Sequence, residues 1–227
     1  MTDTYTGAVE PGGDPAVRRL GCLSVTKIAV DPEMANNCYL LHCDETGEQA
    51  LIDAADDAPR LLELIGDAGL LTVVTTHRHW DHHRALADVV AATRAAVVAG
   101  APDADAITEQ TGVPVSRRLE HGDRVAVGRC DLQVIALAGH TPGSIALLLH
   151  DPERIGDRAH LFTGDSLFPG GPGRVTAPGD FDTLMDDLEA KVFGSLPDDT
   201  WFYPGHGDDS TLGAERPHLS QWRARRW

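Results

Sequence analysis

The hexapeptide His77-Arg78-His79-Trp80-Asp81-His82 restricts this chain more than any other feature. It follows Leu71-Thr72-Val73-Val74-Thr75-Thr76, a β-branched run that reads as a buried strand. On an extended segment, residues two apart project to the same side, so His77, His79 and Asp81 can converge. His82 comes next, where the chain turns into an Ala-rich, helix-periodic stretch over 82–93. Three imidazoles and a carboxylate within six residues form a partial cage for zinc, iron or manganese. Their place at the C-terminal end of a strand is where α/β sheets put their ligands.

Three further segments repeat the pattern of a polar residue beside glycine at a strand end. They are Gly139-His140-Thr141-Pro142-Gly143-Ser144, Phe162-Thr163-Gly164-Asp165-Ser166 and Tyr203-Pro204-Gly205-His206-Gly207. Glycine permits close backbone approach and unusual φ there. Singly, His140 or His206 would read as an ordinary turn residue. With the hexapeptide they bring the potential ligands to seven, enough for two metals.

Strands are expected at 22–30, 37–42, 50–53, 71–76, 132–138, 144–150, 160–163 and 201–203. Helices are expected at 58–70, 82–93 and 181–193, the last with Asp180 as its N-cap. Residues 1–20, broken by Pro11-Gly12-Gly13 and Pro15, read as a mobile tail, and 21–227 as one mixed α/β domain.

The 227 residues can bury a core without disulfide or metal staples, so a bound metal would serve chemistry. With 35 acidic against 19 basic side chains, the chain repels polyanions. That argues against nucleic acid and anionic membranes as partners and for a small molecule. Cys22, Cys38, Cys43 and Cys130 form no CxxC pair and read as free, buried thiols. There is no signal-peptide pattern at the start and no apolar run of ~18 residues, so a cytoplasmic location is expected.

HRHWDH, GHTPGS, TGDSLF and PGHG, in this order and spacing, resemble the metallo-β-lactamase superfamily, and within it the short glyoxalase II-like hydrolases. The likeness covers nearly all of residues 22–215. It implies an αββα sandwich in a single domain, with a metal site along one edge. It further implies two divalent ions, zinc first, with iron or manganese as alternatives. His77, His79 and His140 would hold the first; Asp81, His82 and His206 the second; Asp165 would bridge both. Asp53 matches a carboxylate that orients a ligand histidine. The segment from Phe168 to Arg174 resembles a substrate-side loop, in which Arg174 binds a substrate carboxylate or a structural carbonyl.

The implied activity is attack of a metal-bound hydroxide on a polarised carbonyl, with Asp81 hydrogen-bonding the nucleophile and later taking its proton. The implied substrate is a thioester such as a 2-hydroxyacyl thiol conjugate, or a related ester. About twenty residues follow His206, without the helical extension that helps full-length glyoxalase II bind glutathione, so another thiol carrier or a smaller ester is expected. A lactonase of this fold would keep all seven ligands. A persulfide dioxygenase would use one iron on the first-site ligands and consume oxygen. True β-lactamases generally lack a counterpart of Asp165, and non-catalytic modules have usually lost ligands.

Overall fold

Apolar side chains on both faces of most strands require a covering layer on each side, and the chain supplies four layers. In the computed structural model, which describes residues 5–226, the first sheet runs in chain order. It comprises β1 (Ala16–Leu20), β2 (Leu23–Val30), β3 (Asn36–Cys43), β4 (Gln49–Ile52), β5 (Thr72–Thr75), β6 (Ala96–Gly100) and β7 (Arg117–Leu119). β1 to β4 pair antiparallel; β4 to β7 pair parallel. The second sheet takes β8 (Arg124–Val127), β9 (Cys130–Ala136), β10 (Ile145–Leu149) and β11 (His160–Gly164). A small hairpin, β12 (Leu167–Phe168) with β13 (Gly171–Pro172), lies outside it. β14 (Trp201–Pro204) then pairs parallel to β11, and β15 (Ser210–Thr211) closes that edge.

Period-two alternation decides what each sheet face touches. Tyr39 and Leu41 of β3 point into the space between the sheets, where they meet Val134, Leu147, Phe162 and Tyr203. Cys38 and Leu40 point the other way, toward Leu61 of α1 (Ala58–Ile65) and Leu86 and Val89 of α2 (Leu86–Thr93). Ile107 of α3 (Ala104–Thr111) completes that layer. On the far side, Ala146 and Leu148 of β10 face Phe181, Leu184 and Met185. A short α4 (Pro152–Ile155) precedes the helix carrying these, α5 (Pro178–Asp187), which runs on in a wider turn through Phe193. α6 (Leu212–Glu215) and α7 (Leu219–Arg225) finish the chain, and Trp222 joins the same cluster. This is the expected αββα sandwich in one domain. No helix among the described residues is long and apolar enough to cross a membrane.

Several expectations are corrected. The N-terminal tail does not hold for residues 5–20: β1 pairs along β2, Pro11 bridges Ala29, and the Tyr5 ring lies edge-on to Trp201 at 6.1 Å. The prolines and glycines mark a turn ahead of an edge strand; residues 1–4 lie outside the described residues. α5 starts before Asp180, with Ala177 in the cap position. Residues 80–82 form a tight 3-10 turn, and α2 starts only at Leu86.

The N-terminal segment is held by a buried charge. Lys27 and Asp209 have fully buried side chains, and the Lys27 Nζ donates to Asp209 Oδ1 at 2.6 Å. Its other two protons go to the carbonyls of Gly7 (2.7 Å) and Gly207 (2.8 Å). Asp209 Oδ2 accepts from the Tyr5 hydroxyl and the Trp201 indole, both at 3.0 Å. Burial pushes the Lys27 pKa down and that of Asp209 up, so the pair survives only because each proton and lone pair is used. Lys27→Met should strand the carboxylate and cost about 3–5 kcal/mol in urea unfolding. The Lys27→Met/Asp209→Asn double variant should lose less than the single one, because no unpaired charge remains.

Candidate metal centre

The parallel strands of both sheets end at one edge of the sandwich, and the segments that leave them carry the polar residues. Asp53 follows β4, the 76–82 segment follows β5, Asp165 follows β11 and His206 lies two residues past β14. His140 occupies the turn between β9 and β10. Here His77 Nε2 lies 3.1 Å from His79 Nδ1 and 3.2 Å from His140 Nε2. In a second group, His82 Nε2 lies 3.2 Å from His206 Nε2 and 3.4 Å from Asp81 Oδ2. Asp165 reaches both groups: Oδ1 is 3.3 Å from His82 Nε2, and Oδ2 is 3.4 Å from His206 Nε2 and 3.7 Å from His140 Nε2. Close approach makes this possible. A Cβ on residue 205 would sit 2.1 Å from Asp165 Oδ1 and 2.8 Å from His82 Cε1, so only glycine fits there.

The outward nitrogens reveal which way the rings are wired. His140 Nδ1 donates to the Arg174 carbonyl (2.7 Å) and His206 Nδ1 to the Met34 carbonyl (2.8 Å). His82 Nδ1 donates to Asp53 Oδ2 (2.9 Å). The Thr76 hydroxyl gives its proton to Asp53 Oδ2 (2.8 Å) and so accepts from His77 Nδ1 (3.0 Å). Carbonyls and carboxylates only accept, so each outward nitrogen carries a proton and Nε2 is the nitrogen that each of these rings turns toward a cation. Ligand atoms about 2.05 Å from a tetrahedral zinc lie about 3.3 Å apart, close to the spacing within both groups. Asp165 Oδ1 is also buried with no hydrogen-bond partner among the described residues. These residues fit divalent cations, and three overlapping sets could hold them: His77, His79 and His140; His77, His82 and Asp165; Asp81, His82 and His206.

The two groups differ in charge. Burial, with His82 nearby, takes His77 well below the usual imidazole range; burial likewise lowers His79 and His140. His82 stands well above that range, because Asp165 and Asp53 outweigh its burial. His206 rises to about 9, its burial outweighed by the hydrogen bonds it gives to Asp165 and Asp81. Both carboxylates are held low against their own burial, Asp165 chiefly by His82 and Asp81 chiefly by His206 and His82.

All seven expected ligands and Asp53 therefore meet at this edge. Arg174 stands apart: its side chain is exposed, and its contact with the cluster is the backbone carbonyl. It borders an open cleft of about 350 Å³ with Phe168, Pro172 and Gly173, and the Phe168 ring lies 6.3 Å from that of His206. A larger cavity of about 720 Å³, beside Gly13 and Arg60, lies away from these groups. Trp80 is 55% exposed, with the Arg84 guanidinium over its ring. Sequence reasoning missed Asn36, whose Nδ2 donates to Asp81 Oδ2 at 2.9 Å and whose backbone bridges to His206. Nothing local in Asn36-Asn37-Cys38 signals it, since the partners lie 45 and 170 residues away.

The model of the metallo-beta-lactamase superfamily matches residues 31–206. The hydroxyacylglutathione hydrolase of Fuscovulum blasticum is 37% identical over 75% of the chain and 62% of its own length. The chain thus spans about three-fifths of the length of the first of the hydroxyacylglutathione hydrolases it resembles. Among solved structures, ETHE1 from Myxococcus xanthus is 31% identical with a TM-score of 0.73, covering 88% of this chain and 84% of its own. TTHA1623, solved in a di-iron-bound form, is 34% identical with a TM-score of 0.66, covering 84% and 96%.

Opposite pKa directions give the two groups opposite sensitivities to acid. A raised histidine pKa means a proton is present below that pKa, and a cation must displace it. In metal-free protein, cation binding at Asp81, His82 and His206 should strengthen as pH rises from 7 toward about 9. Binding at His77, His79 and His140 should be nearly flat over that window. Zinc titration calorimetry in buffers of differing ionisation enthalpy checks this through the protons released by each binding event.

Proposed function

Because the chain belongs to the metallo-beta-lactamase superfamily, we propose that it is a metal-dependent hydrolase of small thioesters or related esters, working with two divalent ions, zinc first and iron or manganese as alternatives. The observation that carries this reading is the completeness of the second group: Asp81, His82 and His206 converge beside the first, with Asp165 in reach of both. That second set gives a second cation donors of its own. When bound, such ions supply Lewis acidity and a water of lowered pKa.

The chain's own residues do the rest. Asp53 holds the His82 ring and, through the Thr76 hydroxyl, the His77 ring. Asn36 fixes one oxygen of Asp81. Asp81 then orients the attacking water and takes its proton as the acyl carbon becomes tetrahedral. Arg174, exposed at the cleft, binds an anionic group on the substrate by a charge-assisted hydrogen bond. Phe168 gives that cleft an apolar wall. The names of the similar hydrolases support a 2-hydroxyacyl thioester, and the thiol carrier is one that Arg174 can pair with.

Metal content per chain, measured alongside turnover of a lactoyl thioester, a lactone and a persulfide, tests the reading. Two ions per chain are expected, with thioester turnover lowered more than about a hundredfold in His79→Ala and Asp165→Ala. Preference for the lactone would make the enzyme a lactonase. One iron per chain, no hydrolysis and oxygen uptake with the persulfide would overturn the proposal.

A further inference from the structure

Asp103 precedes α3, in the position where an aspartate ordinarily accepts from the first turn of its own helix. It does not do so here: its side chain makes no capping hydrogen bond. The residue is fully buried, and its carboxylate is turned toward the loops of the metal centre. Oδ2 accepts from the backbone N–H of Arg78 at 3.0 Å and from the Thr141 hydroxyl. Oδ1 accepts from the backbone N–H of Gly143 at 3.0 Å. Arg78 sits between His77 and His79, and Thr141 directly follows His140. One carboxylate thus joins the two segments that carry the first histidine group, which are 63 residues apart.

The surroundings are built for this contact. A Cβ on residue 143 would lie 2.4 Å from the Asp103 nitrogen and 2.7 Å from its Cγ, so the position must be glycine. Thr141 is fixed in turn: its N–H donates to Ser144 Oγ at 3.1 Å, and the two hydroxyls lie 2.7 Å apart. Asp53 performs the matching task elsewhere, accepting from the Thr76 N–H and from His82 Nδ1. Among the described residues Asp103 touches no candidate ligand side chain. It holds the N–H groups of Arg78 and Gly143, the Thr141 hydroxyl and, at 3.7 Å, the Arg78 guanidinium, and so acts on the segments that aim the ligands.

We propose that Asp103 is a positioning residue for the first metal site, setting the separation of His140 from His77 and His79 and thereby the affinity of that site. This rests on the metal-centre reading above. In Asp103→Asn the amide nitrogen, in either flip, meets a backbone N–H, that of Arg78 or that of Gly143, so donor faces donor and the clamp opens.

The test is zinc titration of metal-free wild type, Asp103→Asn and Thr141→Val, with thermal melts of each protein before and after loading. Asp103→Asn should weaken zinc binding at the first site about 10–100-fold while the second site changes little. Thr141→Val, which keeps both backbone donors, should show the same selectivity with a smaller loss. The rise in Tm on loading should shrink in the same order. A variant that melts earlier without metal yet binds both ions as tightly as wild type would make Asp103 merely structural and overturn the proposal. Should Asp103→Asn fail to fold, Thr141→Val decides: unchanged first-site affinity overturns it. Wild type that binds no zinc would instead sink the metal-centre reading itself.

Discussion

A buried imidazole that turns a bare nitrogen inward must give its other proton to an acceptor, and that requirement organises this edge of the molecule. The acceptors are the carbonyls of Met34 and Arg174 and the carboxylate of Asp53, each from a different segment. Two of the three act through the backbone, and Asp53 through its side chain. Met34 lies in the turn between β2 and β3, and Arg174 in the stretch after β13. The rings of His206 and His140 are therefore oriented by the backbone of connections that contribute no ligand, and those of His82 and His77 by Asp53, directly and through the Thr76 hydroxyl. An unmet N–H at this depth would cost about 1–3 kcal/mol, enough to favour a flipped ring and lose the convergence.

The sandwich makes those acceptors available by bringing both sheets to one edge. Asn37 donates its N–H to the Gly205 carbonyl at 2.7 Å and its side-chain amide to the carbonyls of Pro204 and Gly207, both at 2.9 Å. The Gly207 carbonyl is shared with Lys27. The residue before and the residue after His206 are thus tied to β2 and β3, strands of the opposite sheet. Core stability and site geometry are coupled there: loosening the buried Lys27–Asp209 pair also loosens the segment that presents His206.

Legibility from sequence followed the range of the interactions. The hexapeptide could be read because its four ligands are near neighbours in the chain. The 3-10 turn at 80–82 nevertheless carries Asp81 to the second group and not, as a period of two implies, beside His77 and His79. His140, Asp165 and His206 could be read because each stands beside glycine at a strand end. Asn36 and Asp103 could not. Asn36 looks like any strand-entry residue, and Asp103 carries the local signature of a helix cap while its carboxylate serves partners 25 to 40 residues away. The same limit explains the missed β1 and β7. Their short, partly polar stretches become strands only because a neighbouring edge is open, as β2 is to β1. The tail expected over residues 1–20 failed for a related reason: nothing local tells that a buried Lys27 needs the Gly7 carbonyl.

The charge difference between the two histidine groups follows from where the carboxylates lie. Asp53, Asp81 and Asp165 all approach His82, two of them also approach His206, and only Asp165 comes near His140. Imidazoles in the first group are consequently neutral and ready to donate a lone pair, while the second group holds protons that a cation must replace. Two divalent ions would bring four positive charges against the two carboxylates that face them, Asp81 and Asp165. The remaining positive field would favour an anionic nucleophile and a developing oxyanion. Arg174 extends that field outward along the cleft. An overall charge of −16 therefore need not describe the surface a substrate would meet, which two such ions would make locally cationic.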